Sequence, residues 1–362
     1  MRLLSLAALL LVPAAALAGE EPASFKSFDG FMLDASLAVP DGVAARDVTR
    51  VIVFIHGSGP SSKDGDLTEV TKGKAQNLWF RDVKDALVQK GFAVLRYDKR
   101  TYTIRQKAIA NEEYLREPTV TAYLAEPLRY IVDDAAAAAR EAAARCPKAA
   151  LYLLGHSEGT YVALQVAATH PEVKGVALVG FMAIPMDALI LEQTLYRPLE
   201  TFAAHDANHD GQLAKAELAA SDTFCAALLP QFEVLDQDGD GLVSRAEVQG
   251  GNLAGLFGKG LLLGSAYRAQ AARYPNVDDI LIKSSFKAAF FNGLWDNQTP
   301  AYGVLAVKLA AKHLWQKDNF RFHLFPRLGH ALDPRDAYDD VVYQRIDPAA
   351  LKALGDELGA WF

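Results

Sequence analysis

Two rhythms of apolar positions alternate along this chain. Short continuous apolar runs near 51–55, 92–97, 150–154, 175–180, 286–291 and 320–325 read as buried strands. Helical periodicity fills the gaps near 75–90, 127–145, 158–169, 300–317 and 348–361. The Ala-rich stretch opens on Pro127 and stops at Cys146-Pro147, as proline suits a first helical turn and cannot continue one. Phe25 to Val39 reads as an antiparallel hairpin around Asp29-Gly30. Such alternation predicts an α/β fold, a mostly parallel sheet flanked by helices on both faces. It is interrupted once. Residues 186–285 form a helical insert, which divides the core into 19–185 and 286–362.

Composition changes this picture little. An apolar fraction of 51% over 362 residues supports a sizeable core, and a net charge of −7 with no basic patch argues against nucleic acid. The N-terminus adds a compartment. Arg2, the apolar run Leu3 to Leu11 and the small residues Ala16-Leu17-Ala18 have the make-up of a secretory signal peptide, 1–18. Its apolar run is too short to span a bilayer, so no stable membrane insertion is expected. The mature chain is expected to begin near Gly19 and to be periplasmic or secreted. Cys146 and Cys225 are expected to stay buried and unbridged.

The run Leu151 to Leu154 ends in Gly155-His156-Ser157-Glu158-Gly159, and a helix follows. G-x-S-x-G between strand and helix makes a sharp turn that pushes the serine hydroxyl above the sheet edge. A nucleophilic serine needs a base and an orienting acid. Asp296 lies just past the strand at 286–291, and His330 just past the strand at 320–325. Asp296 alone would pass for a helix N-cap and His330 alone for a surface histidine. Their order after three strands puts Ser157, Asp296 and His330 on one sheet edge, where open α/β sheets bind ligands. Among other histidines, His156 is expected to point away on the strand side. The loop His56-Gly57-Ser58-Gly59-Pro60 follows the first central strand, so the expected oxyanion donors are the backbone N–H of Glu158 and one from this loop, Ser58 first, with Gly57 or Gly59 as alternatives.

These motifs resemble the α/β-hydrolase-fold serine esterases, and among them bacterial esterases whose loop reads H-G-S-G-P before an acidic cluster, here Asp64-Gly65-Asp66. Tyr97-Asp98-Lys99-Arg100 fits too. The likeness covers about 24–185 and 286–362 and implies hydrolysis of a small-molecule ester through an acyl-enzyme, with the insert as a lid. Thr101-Tyr102-Thr103 departs from the glycine-rich pattern that usually follows the arginine. It is expected to form a differently shaped loop that contributes differently to the pocket and does not touch the catalytic set. A peptidase or thioesterase would use the same triad. From another class, the chain could be a calcium-binding interaction protein on an inactive scaffold. Protein partners are not indicated.

The insert carries a second signal. Asp206 to Glu217 and Asp236 to Glu247 both fit D-x-[DN]-x-[DN]-G-x₅-E and resemble EF-hand calcium loops. Oxygens of Asp206, Asn208, Asp210, Gln212 (backbone) and Glu217 would hold one Ca²⁺. Those of Asp236, Asp238, Asp240, Leu242 (backbone) and Glu247 would hold another. Leu213 and Val243 occupy the same loop position, where paired loops join through a β-bridge. Helical flanks are expected at 187–205, 223–235 and 245–250.

Overall fold

The computed structural model describes residues 19–362 except 194–196, 219–224, 226–227, 258–265, 337 and 339–341. The leader expected at 1–18 and part of the flank expected at 223–235 lie outside the described residues.

Strands β1 (Glu20–Lys26), β2 (Met32–Ala38), β3 (Arg50–Ile55), β4 (Ala93–Tyr97), β5 (Ala150–His156), β6 (Val173–Val179), β7 (Gln212–Ala214), β8 (Leu242–Ser244), β9 (Lys287–Gly293) and β10 (Phe320–Phe325) form two sheets. The large one runs β1-β2-β4-β3-β5-β6-β9-β10. The hairpin β1–β2 joins β4 antiparallel, and the remaining strands are parallel. The chain passes from β4 across β3 to β5, so the order reverses beside β3. A crevice opens at the carboxyl ends of β3 and β5.

Both faces are covered. Along β3, Val51, Val53 and Ile55 enter one core with helices α4 (Pro127–Arg145) and α5 (Glu158–Thr169). Ile52 and Phe54 enter the other with α1 (Trp79–Val88) and the helix Pro348–Trp361. This period-two alternation, apolar on both faces, explains why the strands read as unbroken apolar runs.

The expected departure after Arg100 is not a loop but α2 (Arg100–Ala110), followed by α3 (Pro118–Ala125). The Arg100 guanidinium is held by Asp134 at 2.9 and 2.7 Å and by Asp29 at 2.7 and 3.0 Å. With no glycine at 101–103, the backbone turns directly into a helix behind that anchor.

In the insert, β7 and β8 pair antiparallel with Leu213 opposite Val243, as the matched loop positions predict. Beneath this ribbon Phe202, Leu213, Leu218, Phe232, Val243 and Val248 form a core separate from the two around the large sheet. Of the first flank, Met186–Leu191 and Arg197–His205 are helical, and residues 194–196 between them lie outside the described residues. The last is longer than expected, Arg245–Phe257. Toward its end the insert rejoins the main body: Val277, Ile280 and Leu281 of the helix Val277–Lys283 belong to the α4/α5 core. Cys146 and Cys225 are buried, with no disulfide between them. Among the described residues no helix is long and apolar enough to cross a membrane.

Candidate active site and metal loops

Ser157 sits between β5 and α5 with φ 57° and ψ −124°, a left-handed backbone that costs a non-glycine residue about 1–3 kcal/mol. The flanking glycines allow it. A Cβ at Gly155 would lie 2.2 Å from the Gly159 carbonyl oxygen, and one at Gly159 would lie 2.2 Å from that of Ile55. The strand and helix therefore cross too closely for any side chain at either place. The Ser157 N–H donates to Val179 O at 2.9 Å, tying the turn to β6.

His330 lies beyond β10, and its Nδ1 faces Asp296 at 2.9 Å from Oδ2 and 3.0 Å from Oδ1. Asp296 is fully buried beyond β9. Its carboxylate also accepts from Gln298 N at 2.9 Å, Thr299 N at 2.8 Å and Thr299 Oγ1 at 2.7 Å. Burial alone would raise this carboxyl's pKa. The adjoining His330 and the Thr299 bonds outweigh it and hold the group below the usual carboxylate range. The Trp79 indole donates to Ala331 O at 2.8 Å and so fixes the histidine loop to α1.

Ser157 and His330 line one cavity of 290 Å³ together with Gly57, Ser58, Glu158, Thr299 and the insert residues Met186, Leu189 and Gln193. The start of the insert thus walls the site, and Gln193 Nε2 donates to Gln298 O across it. A second cavity of 680 Å³ shares Met182 and Met186 with the first and is lined by Tyr161, Ile190, Pro275 and Val277.

The expectation that His156 points away is corrected. Its ring lies 4.8 Å from that of His330 and 4.7 Å from that of Trp79, and its Nε2 is 3.3 Å from His330 O. It therefore sits beside the His330 loop at the carboxyl edge of the sheet. The segment 101–103 was expected to contribute differently to the pocket without touching Ser157, Asp296 or His330. Thr101 Oγ1 donates to Gly59 O at 3.0 Å, and just before this segment Lys99 reaches both Gly57 and Glu158.

A family model described as the alpha/beta hydrolase fold matches residues 50–284. The chain belongs to that family. Esterase EstD of Thermotoga maritima is 26% identical over 178 residues, 49% of this chain. The chain spans only 37% of that relative's length. The esterase domain of a Rhodothermus marinus protein has a TM-score of 0.50 at 18% identity, covering 95% of this chain and 97% of that one. Est1E from Butyrivibrio proteoclasticus also has a TM-score of 0.50, at 15% identity over 94% of this chain and 96% of its own. At these identities the solved structures speak to the shared fold alone. The family match ends at 284, before Asp296 and His330, so the placement of those two residues rests on the geometry above.

Thr299 was not singled out from the sequence. It bonds Asp296 and lies 3.2 Å from His330 Nδ1. Its one sequence signal is its place before Pro300, at the entry to the helix Ala301–His313.

The two acidic loops fold alike. Asp206 accepts from Asp210 N and Gly211 N, and Asp236 from Gly239 N and Gly241 N. Glu217 reaches back to Ala207 N and Ala214 N, as Glu247 does to Gln237 N and Ser244 N. In the second loop, carboxylate oxygens of Asp236, Asp238 and Asp240 all lie within 4.8 Å of one another. In the first, Asn208 Nδ2 donates to Asp210 at 2.7 Å. Gln212 and Leu242 each donate a backbone N–H to the acid two residues before, Asp210 and Asp240.

Proposed function

We propose that the chain is a serine hydrolase of carboxylic esters, with Ser157 as nucleophile, His330 as general base and Asp296 as its orienting acid. One observation carries the reading. Asp296 holds the Nδ1 edge of the His330 ring, and His330 and Ser157 line the same cavity. In this reading His330 takes the Ser157 proton as Oγ attacks the ester carbonyl. Asp296 holds the Nδ1–H tautomer and stabilises the imidazolium. The Ser58 and Glu158 N–H groups receive the developing oxyanion, each worth about 10²–10³ in rate. His330 then protonates the leaving alcohol and activates the water that releases the acid. The cavity shared through Met182 and Met186 would take the apolar part of the substrate. Ser157→Ala should abolish turnover of p-nitrophenyl esters while leaving the circular dichroism unchanged; retained turnover would place the nucleophile elsewhere. A panel of esters, thioesters and aminoacyl amides separates this activity from thioesterase or peptidase activity by the same residues.

The insert is proposed to bind up to two Ca²⁺ ions. The fit rests on the convergent carboxylates of Asp236, Asp238 and Asp240 and on the antiparallel pairing of the two loops. Asp206, Asn208, Asp210, Gln212 and Glu217 would hold the first ion, and Asp236, Asp238, Asp240, Leu242 and Glu247 the second. The ion would supply positive charge that holds the acidic loops closed. With the leader removed, the enzyme would work in the periplasm or outside the cell, where calcium is generally plentiful and a constitutive structural role suits it.

A further inference from the structure

Lys99 lies two residues after β4 and is only 5% exposed. Its ammonium donates to Gly57 O at 2.7 Å and to Glu158 Oε2 at 2.9 Å. Glu158 is itself buried. A buried ion pair is a poor way to gain stability, because two apolar side chains of similar volume do as well or better. The pair therefore calls for another explanation, and its two targets supply one. The Gly57 carbonyl belongs to the same peptide unit as the Ser58 N–H. Glu158 owns the N–H that follows the nucleophile. One ammonium thus holds both groups assigned to the oxyanion, one through the far end of its peptide and the other through its side chain.

The neighbouring contacts serve the same loop. Lys99 N donates to Ser61 O at 3.0 Å, and Thr101 Oγ1 donates to Gly59 O at 3.0 Å. Residues 99–101 therefore grip the glycine-rich loop at Gly57, Gly59 and Ser61. A glycine-flanked peptide flips easily, and a flipped 57–58 peptide would turn a carbonyl toward the developing negative charge. An ammonium on Gly57 O opposes that flip. It also polarises the peptide, so the Ser58 N–H becomes a stronger donor in a site of low dielectric. A compact ammonium can sit between a carbonyl and a carboxylate where a planar guanidinium fork would have to be re-seated.

We propose that Lys99 is the positioning residue for both oxyanion donors, holding Ser58 N–H through the Gly57 carbonyl and Glu158 N–H through its carboxylate. This rests on the serine-hydrolase reading above. Lys99 touches no reacting atom and exchanges no proton with the substrate.

The test uses the full chain with Lys99→Met, Lys99→Arg and the double variant Lys99→Met/Glu158→Gln, which leaves no unpaired buried charge. Burst titration of Ser157 with a p-nitrophenyl ester counts working sites. For Lys99→Met and the double variant, kcat per titrated site should fall on the order of 10²-fold, with KM within about threefold. The affinity for a trifluoromethyl ketone, whose serine adduct carries the oxyanion, should weaken in proportion to kcat/KM. Lys99→Arg should recover part of the loss. A kcat per site within about threefold of wild type in the double variant overturns the proposal. So does a loss that appears only as fewer titratable sites, or ketone affinity that stays unchanged as turnover falls. Ser157→Ala is run alongside. If that variant retains turnover, the serine-hydrolase reading fails and takes this inference with it. If it is inactive while the Lys99 variants turn over normally, only this inference fails.

Discussion

Asp296 accepts three hydrogen bonds besides facing His330, and each keeps it ionised and fixed. Asp296→Asn should therefore lower kcat on the order of 10³–10⁴-fold through the wrong imidazole tautomer, at nearly unchanged KM. Steady-state kinetics check it, and a loss under tenfold would remove Asp296 from its orienting role. At this scale Ser157, Asp296 and His330 were legible because each follows an apolar run that reads as a strand. Thr299 and Lys99 were not. Their importance lies in contacts across 31 and 59 positions of sequence, and spacing along a chain carries no trace of such distances. His156 was misread for a related reason. Strand alternation assigns a side to a residue, but at the last position of β5 the packing of Trp79 and His330 decides where the ring goes.

Elements were legible where burial made them periodic. The six strand runs recur within a few residues because both sheet faces are apolar. The stretch at 100–125 was not read as helical. Its α2 begins at an arginine clamped by Asp29 and Asp134, and no helical apolar stripe announces such a start. The two acidic loops were legible as a repeat, and their pairing through Leu213 and Val243 followed from matched positions. They should differ in strength. The second offers Asp236, Asp238, Asp240 and Glu247, whereas the first has Asn208 in place of one carboxylate. More carboxylates at the ion favour tighter binding. Calorimetry should show a larger loss of calcium affinity for Asp236→Ala than for Asp206→Ala, and the reverse order would contradict this ranking.

At the scale of the molecule, two buried imidazoles contribute to the response to acid. Burial pushes His56 down to about 3, and Lys99 and Arg96 add to the effect. Burial does the same to His156, also to about 3, with the charge on His330 contributing. In the unfolded chain both would take up protons near pH 6.5. Between 6.5 and about 3 the unfolded state thus binds up to two protons that the folded state refuses, and stability falls as pH falls through that window. Urea midpoints should drop between pH 7.5 and pH 5.5; a flat profile would mean that both rings charge in the folded state. The insert's separate core belongs to this scale as well. If the insert holds calcium, a chelator should speed its proteolysis and slow ester turnover, and leave fragments of the sheet domain intact. Equal rates with and without chelator after verified calcium removal would reject the coupling. A molecule with more than one interior also has more than one way to come apart. On warming, the small interior can open by itself, whereas Met186 and Leu189, which form part of the reaction chamber's wall, pack on the α4/α5 core and tie that wall to the larger interior. Activity that outlasts the melting of the insert would show that tie holding, and activity lost together with the insert would show it failing.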